Sequence, residues 1–231
     1  LDELARLLAD PAVSLITILG PGGMGKSRLS IETAGRHLPR FEHGATFVEL
    51  AALSDVAAIP TAIAVAAGYQ FTGDDDPATQ IVNYLGNKNL LLILDNFEHL
   101  IEGAALASRI NENAPGVKII ATSRQKLNLS GEHILTIGGM EFPEWETPAD
   151  AMRYSAVKLF MQSARRARVD FELQPDDLQY VARICRLTQG MPLGILLAAA
   201  WVDMMSISEI AEEIAQGVDI GVRGVGAQLQ A

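Results

Sequence analysis

The stretch Gly20-Pro21-Gly22-Gly23-Met24-Gly25-Lys26-Ser27 follows the pattern G-x-x-x-x-G-K-[ST], which binds nucleotide phosphates when it joins a buried strand to a helix. The apolar residues 13–19 predict that strand, and the spacing of apolar residues over 29–38 predicts that helix. Glycine lets the backbone wrap closely around phosphates, and amide groups at the start of a helix bind anions. The stretch therefore predicts a phosphate-binding loop, or P-loop.

The P-loop supplies most of the candidate nucleotide-binding residues. Lys26 should reach the β- and γ-phosphates, and the Ser27 hydroxyl should ligate Mg²⁺. Backbone amide groups of the loop and of the first helical turn should contact the phosphates. The binding residues predicted here are Gly22, Gly23, Met24, Gly25, Lys26, Ser27 and Arg28.

A second anchor for Mg²⁺ is predicted at the end of another strand. Residues 89–94 form a nearly continuous leucine and isoleucine run, as in a strand that is buried on both faces, and Asp95 follows directly. Ligands of open α/β sheets bind at the carboxyl ends of the strands. We therefore predict that Asp95 and Ser27 are the metal-side ligands.

Two further charged residues are candidates for catalytic roles beside Lys26 and Asp95. Asn96 stands where many hydrolytic ATPases have a second acid, and Glu98 is the nearest carboxylate that could polarise water. The alternative is that Glu98 is a solvated residue at the start of the next helix. Arg124 follows the strand predicted over 117–121, so it is placed to sense a γ-phosphate; alternatively it pairs with a surface acid.

The pattern of elements predicts an α/β fold with a second, helical part. Strands near 13–19, 46–50, 89–94, 117–121 and 133–137 alternate with helices, which favours a parallel sheet flanked by helices. After the proline-bearing residues 142–148, only helical patterns follow, over 151–169, 175–187, 192–205 and 208–214. We predict a P-loop domain over 1–142, a small helical domain over 149–216, and an unassigned tail over 217–231. Met191, Trp201, Met204 and Met205 are expected in the helical core, although one of them could instead border the base of a bound nucleotide.

Composition limits the partners that this chain is expected to have. Its 28 acidic and 18 basic residues give a formal charge of −10, which argues against direct contact with nucleic acid. A single cysteine, Cys185, excludes an intrachain disulfide, and no apolar run reaches the roughly 20 residues that span a bilayer. Without a recognisable leader, we expect a cytoplasmic protein with no membrane partner. The chain starts at Leu1 rather than methionine, so we also expect a fragment of a longer protein.

Four motifs together resemble the nucleotide-binding domain of STAND ATPases, the NB-ARC-like group, as found in bacterial multidomain transcriptional regulators. They are the P-loop, Leu91-Leu92-Ile93-Leu94-Asp95-Asn96, Ala121-Thr122-Ser123-Arg124 and Gly190-Met191-Pro192-Leu193. The resemblance implies that the last motif belongs to the helical lobe and that Pro192 packs near the adenine. It also implies a switch, in which ADP holds a closed state and ATP, hydrolysed slowly with Mg²⁺, favours self-association of the full-length protein.

Two other functions fit the same motifs. One is an efficient P-loop ATPase of the AAA+ type, which needs a strong catalytic base. The other is an interaction module in which bound ADP is a permanent brace and no turnover occurs. The residues alone leave both open.

Overall fold

A computed structural model describes residues 2–144 and 151–228, without the side chains of 175 and 218–228. The chain divides into two compact units, Leu1–Ile137 and Gly138–Ala231. Part of the proline-bearing segment predicted over 142–148 lies outside the described residues. None of the helices within the described ranges is both long enough and apolar enough to cross a membrane.

The first unit alternates strands and helices. Its strands are β1 (Leu15–Leu19), β2 (Ala45–Glu49), β3 (Leu90–Asp95), β4 (Val117–Ser123) and β5 (Glu132–Thr136). Its α-helices are α1 (Asp2–Ala9), α2 (Lys26–His37), α3 (Ile59–Ala67), α4 (Pro77–Gly86) and α5 (Ala104–Asn113).

The five strands form one sheet in the order β2-β3-β4-β1-β5, and every neighbouring pair is parallel. Strand β4 therefore lies between β1, which leads into the P-loop, and β3, which ends at Asp95. All the strands end at the same edge of the sheet because they run in the same direction. The predicted α/β fold with a parallel sheet is confirmed.

Alternate residues of the strands pack on opposite faces of this sheet. Leu92 and Ile119 contribute to a core with α3, α4 and α5, whereas Leu91 and Ile120 contribute to a core with α1 and α2. Burial on both faces explains why β3 reads as a continuous aliphatic run in the sequence. Each such side chain stabilises the fold by about 1.5–3 kcal/mol, so the strands that carry the site are firmly held.

The second unit is helical within its described residues. It contains α6 (Ser155–Ala167), α7 (Leu178–Leu187), α8 (Pro192–Ala200) and α9 (Ile207–Gln228), which share a buried core. Helix α9 is longer than the predicted 208–214 and runs through most of the tail that the sequence left unassigned. Four glycines in that tail concealed the helix, since each disfavours a helix by up to about 1 kcal/mol relative to alanine.

Two side chains that we expected in the helical core are exposed instead. Trp201 is 40% exposed and Met204 is 77% exposed. Helix α8 ends at Ala200, and a 3₁₀ turn over Trp201–Asp203 follows it. The α-helical period stops there, so extending the apolar pattern of α8 past its end placed these two side chains wrongly.

Gly190 and Pro192 each have a structural reason to be where they are. Gly190 has a φ of 67°, and its amide donates to the carbonyl oxygen of Cys185; this hydrogen bond closes the C-terminal end of α7. Its carbonyl accepts the amide of Met140, and a Cβ at Gly190 would collide with the Met140 backbone. Pro192 occupies the first turn of α8, where the missing amide proton has no helical partner to lose.

Candidate nucleotide-binding site

The P-loop joins β1 to α2, as the sequence predicts. Gly23 and Gly25 have φ values of 78° and 83°, in the left-handed region that favours glycine. Helix α2 begins at Lys26, immediately after Gly25. The backbone amide groups at this helix start are consequently available for an anion.

Lys26 is held within the loop that it belongs to. Its side chain is almost buried, and Nζ donates to the carbonyl oxygens of Gly20 at 2.8 Å and Pro21 at 3.0 Å. Burial lowers the pKa of Lys26; the negative charge of Glu98 opposes this, and the positive charge of Arg124 adds to it. The ammonium group of Lys26 therefore lies near Glu98, Arg124 and Asp95, which are the charged site residues predicted from the sequence.

Ser27 and Asp95 meet directly. Ser27 lies in the first turn of α2, which follows β1, and Asp95 is the last residue of β3, which is separated from β1 by β4. The Ser27 hydroxyl donates to Oδ2 of Asp95 at 2.9 Å. Asp95 is nearly buried, so few other hydrogen-bond donors can reach its carboxylate.

Thr122 is a site residue whose role the sequence did not reveal. Its hydroxyl donates to Oδ1 of Asp95 at 2.6 Å and accepts the backbone amide of Asn96 at 2.9 Å. Asn96 has a φ of 65°, which asparagine tolerates better than most residues. The available signal was a pair of hydroxyl residues, Thr122 and Ser123, at the end of a buried strand.

Glu98 and Arg124 form an ion pair, with 2.9 Å between Arg124 Nε and Glu98 Oε1. Glu98 lies on a 3₁₀ turn, Phe97–His99, and its side chain is only 15% exposed. It is not the solvated helix residue of the alternative interpretation. Arg124 does pair with an acid, but that acid is largely buried and belongs to the site.

Arg124 also lies against the P-loop. A Cβ built on Gly22 would be 3.1 Å from Nη2 of Arg124. The guanidinium group thus occupies the space beside Gly22 that any side chain would fill. Lys26, Ser27, Asp95, Glu98 and Arg124 are all brought together at the carboxyl edge of the sheet.

The other predicted binding residues include Met24 and Arg28. Met24 is partly exposed, and the side chain of Arg28 is exposed, with Nη2 3.9 Å from Oε2 of Glu32 on α2. Only the backbone of Arg28 is therefore a candidate for phosphate contact. Pro192 belongs to the second unit.

The oxygen donors fit Mg²⁺ by their chemistry. A serine hydroxyl and an aspartate carboxylate are hard ligands, and Mg²⁺ typically takes one or two such protein ligands together with water and substrate phosphates. Within the described ranges, no group of three or more His, Cys, Asp or Glu residues could hold a metal. Ser27 and Asp95 therefore suit a metal shared with a nucleotide rather than a site built from protein alone.

Comparison with known sequences gives relatives much longer than this chain. An uncharacterized protein of Mycobacterium tuberculosis is 33% identical over 211 residues, which are 91% of this chain and 51% of that protein. A second M. tuberculosis protein, provisionally named an HTH-type transcriptional regulator, is 33% identical over 199 residues, 86% of this chain and 21% of that protein. The chain thus spans about half of one relative and a fifth of the other. No family model matches it.

Solved structures with a similar fold are ATPases and related proteins. A STAND protein with a tetratricopeptide repeat sensor from Pyrococcus horikoshii matches with a TM-score of 0.57 and 15% identity, over 94% of this chain and 32% of that one. The ORC2 protein of Aeropyrum pernix, solved with ADPNP and ADP, matches with a TM-score of 0.56 and 16% identity, over 93% and 66%. A Walker-type ATPase of Pyrococcus abyssi matches with a TM-score of 0.55 and 12% identity, over 99% and 75%.

These likenesses concern the fold. The chain has the α/β fold of P-loop ATPases, and its P-loop, β3 and β4 bring together the residues that the sequence selected.

Proposed function

We propose that this chain is the ATP- and ADP-binding switch module of a STAND-type signal-transduction ATPase, close to the NB-ARC group. In this proposal it hydrolyses ATP slowly with Mg²⁺ and belongs to a larger, cytoplasmic transcriptional regulator. The ATP state favours self-association of the full-length protein, and the segment itself contacts neither membrane nor nucleic acid.

The observation that carries the proposal is the hydrogen bond between Ser27 and Asp95, with Lys26 beside it. The hydroxyl and the carboxylate oxygen are 2.9 Å apart, so both can contribute to one Mg²⁺ when it is bound. That ion would neutralise phosphate charge. Lys26 brings a positive charge to the same phosphates, and the glycines of the loop allow the backbone to approach them.

Slow turnover is supported by the residue that follows Asp95. Asn96 carries an amide, which cannot take a proton from water as a carboxylate can. Glu98 is a candidate base, since its Oε2 is buried and has no hydrogen-bond partner within residues 2–144 and 151–228. Its other oxygen is engaged by Arg124, so the base is already part of an ion pair.

The assignment to a STAND regulator rests on separate support. The motif Gly190-Met191-Pro192-Leu193 resembles that of the family. One solved structure of similar fold is a STAND protein, and one relative is provisionally named a transcriptional regulator. The chain covers only a small part of each of these two proteins. The proposal therefore places the domain that senses the signal and the domain that acts on transcription elsewhere in the whole protein.

The first test is to identify what the purified protein carries. The protein is denatured without added nucleotide, and the released small molecules are separated by chromatography. Near-stoichiometric ADP in wild type, absent from Lys26→Ala, is the expected result. Neither protein releasing nucleotide, combined with no binding of added ATP or ADP, would contradict the proposal.

A second measurement separates the switch from its two alternatives. Steady-state phosphate release by the isolated chain should be slow; rapid multiple turnover that Glu98→Gln abolishes would favour an AAA+-type ATPase. A permanent ADP brace predicts that Lys26→Ala chiefly destabilises the fold, since a ligand that binds only the native state adds RT ln(1 + [L]/Kd) to stability. If Lys26→Ala is as stable as wild type in excess ADP, the brace is excluded.

A further inference from the structure

The ion pair between Arg124 and Glu98 uses the inner nitrogen of the guanidinium group. Nε of Arg124 lies 2.9 Å from Oε1 of Glu98, so this contact does not require the two terminal nitrogens. One of them, Nη2, lies beside Gly22 of the P-loop. A carboxylate on Nε and a phosphate on the terminal nitrogens are compatible, because a guanidinium carries five donors in one plane.

Glu98 is the fixed member of the pair. Its side chain is 15% exposed, whereas that of Arg124 is 64% exposed. The backbone around Glu98 is held by the buried ring of Phe97 and by Gln125, whose side-chain amide donates to the Glu98 carbonyl at 2.9 Å. A carboxylate at this position consequently has a defined place, and a long exposed arginine can be oriented by it.

The burial of Glu98 is costly unless something compensates for it. Its Oε2 has no hydrogen-bond partner in the part of the chain that the structure describes, and a buried charge is tolerated only with an opposite charge nearby. Arg124 supplies that charge directly. Lys26 is also close: burial lowers the pKa of Lys26, and the negative charge of Glu98 opposes that lowering. These two cations indicate that the Glu98–Arg124 ion pair is part of the site rather than an incidental surface contact.

We infer that Glu98 is a positioning residue that holds Arg124 beside Gly22, with its terminal nitrogens ready for the last phosphate of a nucleoside triphosphate. This inference rests on the proposed function, because it requires nucleotide at the P-loop. It assigns to Glu98 a part in telling triphosphate from diphosphate, separate from any part in hydrolysis. The rotational freedom of an arginine so oriented is already restricted, so it loses less entropy when the phosphate binds.

The test measures affinity rather than turnover. ADP and the non-hydrolysable analogue AMP-PNP compete, each with Mg²⁺, against a fluorescent ADP on the full chain, and the ratio of the two dissociation constants is the readout. Arg124→Ala should weaken AMP-PNP binding about tenfold or more and leave ADP binding nearly unchanged, as expected for loss of a charge-assisted hydrogen bond. Glu98→Gln should weaken AMP-PNP binding by about three- to tenfold. The guanidinium group of Arg124 is still present in this variant, but the negative charge that orients it is removed.

Three further variants test whether Glu98 acts by positioning Arg124. Glu98→Gln in the Arg124→Ala background should cause no additional change in the ratio. Arg124→Lys keeps the charge but cannot contact Glu98 and a phosphate with a planar fork, so it should lose discrimination as Glu98→Gln does. Glu102→Gln, an exposed acid on the next turn, is the matched charge control and should behave as wild type.

The possible outcomes are distinct. An unchanged or increased preference of Glu98→Gln for AMP-PNP, or equal effects of Glu98→Gln with and without Arg124, would overturn the inference. Circular dichroism of each variant establishes that it is folded. If Glu98→Gln is not folded, Glu98→Asp, which keeps the charge but shortens the side chain that reaches Arg124, should show the same fall in preference. Wild-type protein that binds neither nucleotide would instead contradict the proposed function.

Discussion

Thr122 and Asp95 are joined by a hydrogen bond of 2.6 Å from the threonine hydroxyl to Oδ1 of the carboxylate. The same hydroxyl accepts the amide of Asn96. One buried side chain on β4 therefore fixes the carboxylate at the end of β3 and the left-handed residue that follows it. Asp95 is left with Oδ2 toward Ser27, which is the oxygen that the metal proposal uses.

Thr122→Val should lower the affinity for Mg²⁺, so that nucleotide binding requires a higher Mg²⁺ concentration. Loss of a partner that orients a metal ligand typically costs about 10- to 100-fold in metal affinity. The measurement is a Mg²⁺ titration of ADP binding at fixed protein concentration. Thr136→Val, on an exposed position of β5, is the control for the substitution itself. An unaltered Mg²⁺ midpoint in Thr122→Val would show that Asp95 does not depend on Thr122.

Lys26 should make the stability of the nucleotide-free protein depend on pH. Burial lowers its pKa from the ordinary value of 10.5. Between the lowered pKa and 10.5, the unfolded chain binds more protons than the folded chain, so the free energy of unfolding increases with pH. Lys26→Met cannot titrate and should lack this increment.

Denaturant unfolding of both proteins near pH 8 and near pH 10 measures the increment, within the range where lysines titrate. Lys118, whose pKa is also lowered by burial, is common to both proteins and cancels in the comparison. An equal rise in stability for wild type and Lys26→Met would contradict the assignment.

The parts of the site that could be predicted are those that follow one another in sequence. A P-loop is encoded by eight consecutive residues, and Asp95 by its place after a continuous aliphatic run. The bounds of β1 and β3 agree with the sequence prediction within about two residues, because burial on both faces leaves an unbroken apolar signal.

Contacts between separate strands could not be predicted in the same way. The roles of Thr122 and Glu98 depend on which strand lies beside β3, and the order β2-β3-β4-β1-β5 is not written in any local pattern. From the sequence, Glu98 is either a solvated residue or a catalytic base, because it is the nearest carboxylate to Asn96. Its ion-pair partner Arg124 directly follows β4, the strand beside β3, and that neighbour is not visible in the local sequence.

Asn96→Asp should raise the rate of ATP hydrolysis. Aspartate keeps the size and tolerance for the left-handed backbone at this position, where φ is 65°, and it adds the carboxylate that Asn96 lacks. General-base catalysis contributes about 10²- to 10⁴-fold when it is well placed, so even partial placement should be visible in steady-state phosphate release. Asn96→Gly provides the control for backbone conformation. If Asn96→Asp turns over no faster than wild type, the amide is not what limits hydrolysis.

Thr17→Val should stabilise the first unit. Thr17 is fully buried in β1, and its hydroxyl has no hydrogen-bond partner among the described residues. Valine has the same shape and the same preference for strands, and it removes an unsatisfied polar group, so we expect a gain of about 1 kcal/mol in the free energy of unfolding. Chemical denaturation measures this gain. A loss of stability would indicate that the hydroxyl is bonded in solution.

Gly22→Ala should disturb Arg124 without disturbing the P-loop backbone. The added Cβ would lie 3.1 Å from Nη2 of Arg124, and Gly22 is not among the loop glycines with positive φ. The flexible guanidinium group would have to move, so the preference for AMP-PNP over ADP should fall as it does in Glu98→Gln. Gly35→Ala, on α2 with open space around it, should keep that preference and gain up to about 1 kcal/mol in stability. If Gly22→Ala keeps the wild-type preference, Arg124 does not need its place beside the loop to recognise the last phosphate.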